Sequence, residues 1–171
     1  MAQNFVQDGI TLQAPVAYGA SGATKIYTGT PIVLSAGGIA PGAAPATSET
    51  GIDGVAMNNC AYVPDANVYL TSTCVYRTEG VFTFKVKSGT TFVVGATAYI
   101  DAVDNSTATV ADEQIGARTT VTNLAGCSGT EPAIGQVVVL GSPKALGTTT
   151  GTDYVQVKIV TRANSNLAAH S

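Results

Sequence analysis

The most regular hydrophobic pattern in the chain lies in its middle. Phe82, Phe84 and Val86 alternate with Thr83, Lys85 and Lys87. Strict period-two alternation belongs to a strand with one face buried and one face wet. A helix is excluded because β-branched and aromatic residues dominate and no apolar residue recurs at 3.6 spacing. Ser88-Gly89 and Gly95 are turn signals, Ala98-Tyr99-Ile100 restarts an extended segment, and Asp101 to Ser106 are turn formers. Residues 79–101 therefore read as a central hairpin. Tyr154 to Val160 alternates again, with Val155, Val157 and Ile159 on one face and Gln156 and Lys158 on the other. Ile134 to Leu140 is a continuous apolar run instead, the pattern of a strand covered on both faces.

Shorter segments repeat the same grammar. Ile10, Leu12 and Ala14 alternate ahead of Pro15, which predicts an edge strand or a strand end. Lys25-Ile26-Tyr27 and Pro31 to Leu34 flank a Thr28-Gly29-Thr30 turn, and Gly51 to Met57 is an apolar strand framed by glycines. Val68-Tyr69-Leu70, Cys74-Val75-Tyr76, Ala108-Thr109-Val110 and Ile115-Gly116-Ala117 complete the strand-like set. Residues 35–51, 118–133 and 141–152 read as long loops rich in Gly, Ala, Thr or polar residues. About ten short strands with frequent turns and no helix predict an all-β fold, a small β-barrel or sandwich. The expected organisation is an N-terminal arm at 1–9, one β domain at 10–162 and a tail at 163–171 that is frayed or weakly helical. No fixed-period repeat points to a solenoid or propeller.

Composition sharpens this picture in one respect. Hydrophobic residues make up 45% of the 171 and charged residues only 11%, against a usual charged share of about 25%. The surface is therefore covered by Thr, Ser, Asn, Gly and Ala, and burying such a surface in an assembly removes few charges from water. Net charge is −3, and the eight basic residues are scattered. No basic stripe exists, so nucleic acid is not an expected partner. No apolar run approaches the roughly 18 residues of a spanning helix, and no membrane partner is expected. The start, Met1-Ala2-Gln3-Asn4, lacks the features of a signal peptide, which leads us to expect synthesis in a cytoplasm.

Candidate chemistry is sparse. The single histidine is His170, next to the last residue, so no Ser-His-Asp or Cys-His arrangement is expected on a rigid scaffold. Cys60, Cys74 and Cys127 show no C-x-x-C spacing and read as small buried hydrophobes, with a Cys60–Cys74 bridge across a hairpin as the alternative. Asp101, Asp104 and Asn105 lie close in sequence, but the Gly and distal Glu of an EF-hand loop are missing, and a polar turn is expected rather than a calcium site. Asp112-Glu113 sits on a turn where adjacent carboxylates diverge, Gly19-Ala20-Ser21-Gly22 matches neither a P-loop nor a nucleophile elbow, and Asn105-Ser106-Thr107 is a sequon that would need a secreted protein. No catalytic residue, metal or cofactor is expected, and the chain does not read as an enzyme.

Several stretches taken in order resemble a known family, the capsid cement or decoration proteins of tailed bacteriophages. Met1 to Leu12 resembles that family's opening, and Gly29-Thr30-Pro31-Ile32-Val33 its G-D-P-V-x-V strand. Gly51 to Ala56 resembles the following x-G-V-A strand, and Thr78-Glu79-Gly80-Val81-Phe82 matches its T-E-G-V-F segment, the most specific of the set. Val94 to Tyr99 matches V-G-x-x-x-Y, while Ile115-Gly116 or Ile134-Gly135, and then Val155 to Val160, resemble the last two strands. Extra loops near 35–50, 57–77, 118–133 and 141–153 depart from the family's compact pattern. The resemblance implies a structural protein of the virion exterior that bridges major capsid subunits, works as a homotrimer or homodimer, and carries no catalytic residues. On that reading Phe5, Val6 and Gln7 of the arm make the partner contact, anchored by Ile10 and Leu12, with the arm adding a strand to an open edge. The rival expectation is a receptor- or glycan-binding β module of a virion or cell surface.

Overall fold

A computed structural model describes residues 10–17, 25–35, 38–41, 51–61, 72–103, 119–127, 131–140 and 154–162. Among these residues the fold is all-β, as the alternation predicts. Its twelve strands, against about ten expected, form a closed barrel, a second sheet and a short ribbon.

The barrel is built from β8 (Val81–Val86), β9 (Thr97–Val103), β10 (Thr119–Thr122), β11 (Ala133–Leu140) and β12 (Tyr154–Ile159). Around the barrel the order is β10-β8-β12-β11-β9, and β9 closes back onto β10. Every pairing is antiparallel except β8 with β10. The two alternating segments meet each other, with Phe82 opposite Val157 and Phe84 opposite Val155. All four side chains are fully buried, and Val86, Ile100, Val121, Ile134 and Val137 join them in one core. The predicted inward and outward faces of β8 and β12 are thus the observed ones.

Residues 79–101 do not form a hairpin. β8 and β9 do not pair with each other, and β10 lies between them. The connection instead carries Phe92, 1% exposed, into the barrel core. Residues 118–133, expected as a loop, supply β10 and a single 3-10 turn at Leu124–Gly126. Val121 is the one apolar residue in Thr119–Thr122, and buried Thr119 and Thr122 flank it. Asp101, expected in a turn, continues β9.

β11 also departs from expectation. Its run of apolar residues is not covered on both faces, because Val138 and Val139 are exposed. Opposite β12 the register shifts between Val137 and Val139, so Val137 faces inward Val157 while Val139 faces outward Gln156. One extra residue in one strand reverses the side-chain parity beyond it. Gly135 sits at a second irregularity, against β9, with φ of 155°. A side chain there would run into the Lys158 carbonyl.

The second sheet has the order β1-β7-β5-β3-β4, all antiparallel, from β1 (Thr11–Pro15), β3 (Pro31–Ser35), β4 (Gly38–Pro41), β5 (Gly54–Ala56) and β7 (Thr73–Arg77). β4 lies inside the expected 35–51 loop, where it pairs with β3. The sheet curls until its ends meet: Val16 bridges Ile39, and the Ala17 N–H donates to the Ile39 carbonyl at 2.8 Å. Gly38, at φ of 119°, makes that approach possible, since a Cβ there would stand 2.6 Å from the Pro15 carbonyl oxygen. β2 (Lys25–Ile26) pairs with β6 (Cys60–Ala61) as a ribbon, and Ile26 and Cys60 join Val16, Ile32, Ile39, Ala56, Cys74 and Tyr76 in a second core.

β5 belongs to both halves. Val55 packs in the barrel core and Ala56 in the second core, as alternate residues of a strand must when both of its faces are covered. Gly51 and Ile52 bridge Ala133 and Thr161. Arg162 completes the junction: its Nε donates to Asp53 Oδ1 at 2.9 Å, its Nη2 to Asp53 Oδ2 and, at 3.1 Å, to the Leu34 carbonyl. The same Asp53 carboxylate accepts from the Leu34 N–H at 2.6 Å.

Candidate partner-binding edge

The expected binding residues fall on both sides of the described boundary. Phe5, Val6 and Gln7, with the rest of the arm at 1–9, lie outside the described residues. Ile10 and Leu12 are within them, at the start of β1. Among the described residues β1 is an edge of the second sheet, as Pro15 predicts, and pairs only with β7 along its length.

Register decides what that edge presents. The Thr78 N–H donates to the Ile10 carbonyl and the Val16 N–H to the Ser72 carbonyl. Residues of even number on β1 therefore turn their backbone groups toward β7. Thr11 and Gln13 turn theirs outward, and no described strand pairs with them. An edge of unpaired N–H and C=O groups is a template for another strand.

The side chains of the same stretch are exposed where a core face would bury them. Ile10 is 55% exposed and Leu12 46%. Leu12 stands opposite Tyr76 and Ala14 opposite Cys74, two buried members of the second core. The apolar face of the sheet thus continues past its covered part onto Leu12 and Ile10. β1 carries no charged residue; Thr11 and Gln13 are its exposed polar groups. Such a surface suits an apolar, extended protein segment and offers nothing to a phosphate backbone.

A second apolar area lies on the barrel and escapes sequence reasoning. Hydrogen bonds from the Gly95 N–H to the Val137 carbonyl and from the Val137 N–H to the Ala96 carbonyl lay the 93–96 turn along β11. Val93 and Val94, each 57% exposed, are carried on that turn, and Val138 and Val139 on the adjoining strand. The run Val137-Val138-Val139 was legible, but the bulge that turns two valines outward was not.

Of the remaining chemistry candidates, those within the described residues have structural surroundings. Asp101 pairs with Lys87 at 2.6 Å, a hydrogen bond and charge that hold the lysine ammonium above its usual range. Asp104 and Asn105 lie outside the described residues, as do Asp112, Glu113, His170 and the 19–22 segment. Among the described residues no three His, Cys, Asp or Glu side chains gather as a metal site, and no helix is long and apolar enough to cross a membrane. Cys60 and Cys74 are buried, as expected, whereas Cys127 is only half-buried, with its thiol on the Asn123 carbonyl. Burial, then the Glu131 charge, raises the Cys127 thiol above its ordinary value, so it is not an activated nucleophile.

No protein-family model, curated protein sequence or solved structure matches this chain.

Proposed function

We propose that this chain is a capsid cement, or decoration, protein that binds the outside of an assembled major capsid lattice and holds it against the pressure of packaged DNA. The observation that carries this reading is β1, an edge strand with outward Thr11 and Gln13 backbone groups and with exposed Ile10 and Leu12 where the arm begins. An extended segment of a capsid subunit, or the arm laid against one, would complete that edge by main-chain hydrogen bonds, with Ile10 and Leu12 supplying apolar contact. The ordered resemblance to the decoration family and the low charge support it from the sequence side. Binding to the assembled lattice and not to free subunits stabilises the assembled state by mass action. Many copies of modest affinity suffice, because their contributions add over the shell. The protein acts in this reading as a homotrimer or homodimer, made in the host cytoplasm and finally seated on the virion exterior.

The test uses purified phage heads lacking the protein. The full chain should saturate them in hundreds of copies. Removal of residues 2–9, or the double change Ile10→Ser and Leu12→Ser, should lower occupancy at least tenfold while circular dichroism and the unfolding temperature stay unchanged. Unchanged occupancy for both variants, or binding to cells in place of heads, would reject the proposal.

A further inference from the structure

We propose that Cys60 and Cys74 form a prepositioned disulfide pair that closes when the protein meets an oxidising medium and ties the β2–β6 ribbon to the five-stranded sheet. Both thiols are free and fully buried in the second core. They are not partners across a hairpin: Cys60 lies opposite Ile26 and Cys74 opposite Ala14. What brings them together is the approach of β6 to β7, and the polypeptide just before Cys60 fixes it.

Asn58 brackets Cys74. Its side-chain Nδ2 donates to the Thr73 carbonyl at 3.0 Å, and its Oδ1 accepts from the Val75 N–H at 2.7 Å. The Met57 N–H donates to the Val75 carbonyl at 2.8 Å. One residue further on, Asn59 Oδ1 accepts from the Thr28 N–H at 2.9 Å and from its hydroxyl at 3.1 Å. Residues 57–59 are thus pinned to β7 on one side and to the β2–β3 turn on the other, which delivers Cys60 beside Cys74. Both side chains pack in the same buried cluster, and the neighbouring Cys74 thiol together with burial pushes the Cys60 thiol above its ordinary value. A raised thiol is slow to attack. Whether the pair is open or closed is then set by the compartment, whose thiols keep such pairs reduced in a cytoplasm and let them close in an oxidising medium.

The reaction balances with a small disulfide as oxidant. One cysteine thiolate displaces a thiolate from the small disulfide, leaving a mixed disulfide on that cysteine. The second cysteine attacks the protein sulfur of that bond and releases the second small thiolate, so two thiols are oxidised and one disulfide is reduced to two thiols. The new loop runs from residue 60 to residue 74. Closing a loop of that size restricts the unfolded chain, and the bond would be shielded from reductants by the core that surrounds it.

The experiment incubates the full-length protein with glutathione disulfide, blocks residual thiols with N-ethylmaleimide after denaturation, and maps peptides by mass spectrometry. The expected result is a Cys60–Cys74 cross-linked peptide pair with Cys127 blocked or mixed with glutathione, and an unfolding temperature raised by roughly 5–10 °C over the reduced protein. Cys127→Ser should leave both results unchanged, and Cys74→Ser should remove both. A cross-link involving Cys127, no cross-link after prolonged oxidation at a temperature that permits local opening, or a cross-link that fails to raise the unfolding temperature would each overturn the proposal. The outcome is independent of capsid binding.

Discussion

At the scale of single residues, the ion pair at the junction has a definite cost of removal. The Asp53 side chain is 11% exposed and that of Arg162 31%, so the pair is only partly screened. Arg162→Ala would leave a buried carboxylate with the Leu34 N–H as its remaining donor from this cluster, and it strips the Leu34 carbonyl of a partner. We expect a loss of about 2–3 kcal/mol in urea unfolding, and a loss below about 0.5 kcal/mol would show the pair to be dispensable. Titration gives a second prediction. Burial raises the Tyr76 phenol, with Asp53 and Cys74 adding repulsion, and Cys74 and burial raise Cys60. Groups raised in the folded state hold protons that the unfolded chain releases, so their contribution is complete below the unfolded values and is lost as pH climbs. The urea midpoint should be flat toward pH 9.0, the ordinary thiol value, and fall above it. Cys60→Ala should flatten part of that fall. An unchanged midpoint up to pH 11 would contradict the burial of these groups.

At the scale of elements, the bulge in β11 makes two neighbouring positions energetically unlike. Val137 is 1% exposed and Val139 45%. Val137→Thr would bury a hydroxyl in the barrel core and should cost about 1–3 kcal/mol, whereas Val139→Thr should stay within about 0.5 kcal/mol. Equal costs, read by denaturant midpoints, would place both valines in the core and remove the bulge. This element also marks where pattern reading fails. The run Ile134 to Leu140 looks like a doubly covered strand because seven residues carry no trace of the register slip that turns Val138 and Val139 outward. β10 fails for the opposite reason. Thr119-Thr120-Val121-Thr122 is a run of good β formers, yet with one apolar residue it lacks an alternating signal, and its position is fixed by closing the barrel between β8 and β9.

At the scale of the whole molecule, the two cores are expected to unfold together. Val55 serves one and Ala56 the other, Ile52 bridges to Thr161, and Arg162 clasps Asp53. Ile52→Ala should cost about 2–5 kcal/mol and shift a single transition without splitting it. Two separable transitions in calorimetry, or a van't Hoff enthalpy well below the calorimetric one, would show the sheets to be independent units. The candidate edge was legible in part. Ile10, Leu12 and Pro15 announce an apolar edge strand, but alternation alone predicts that Ile10 and Leu12 are covered, and both stand about half exposed. The amino-acid order determined that the chain is all-β, and which faces of β8 and β12 point inward, because side-chain alternation is a local property of extended backbone. Strand order, the bulge, the meeting of Cys60 with Cys74 and the exposure of the β1 edge were decided only by tertiary structure, because each depends on which distant segment supplies the hydrogen-bond partner, and one strand's own residues do not encode its neighbour.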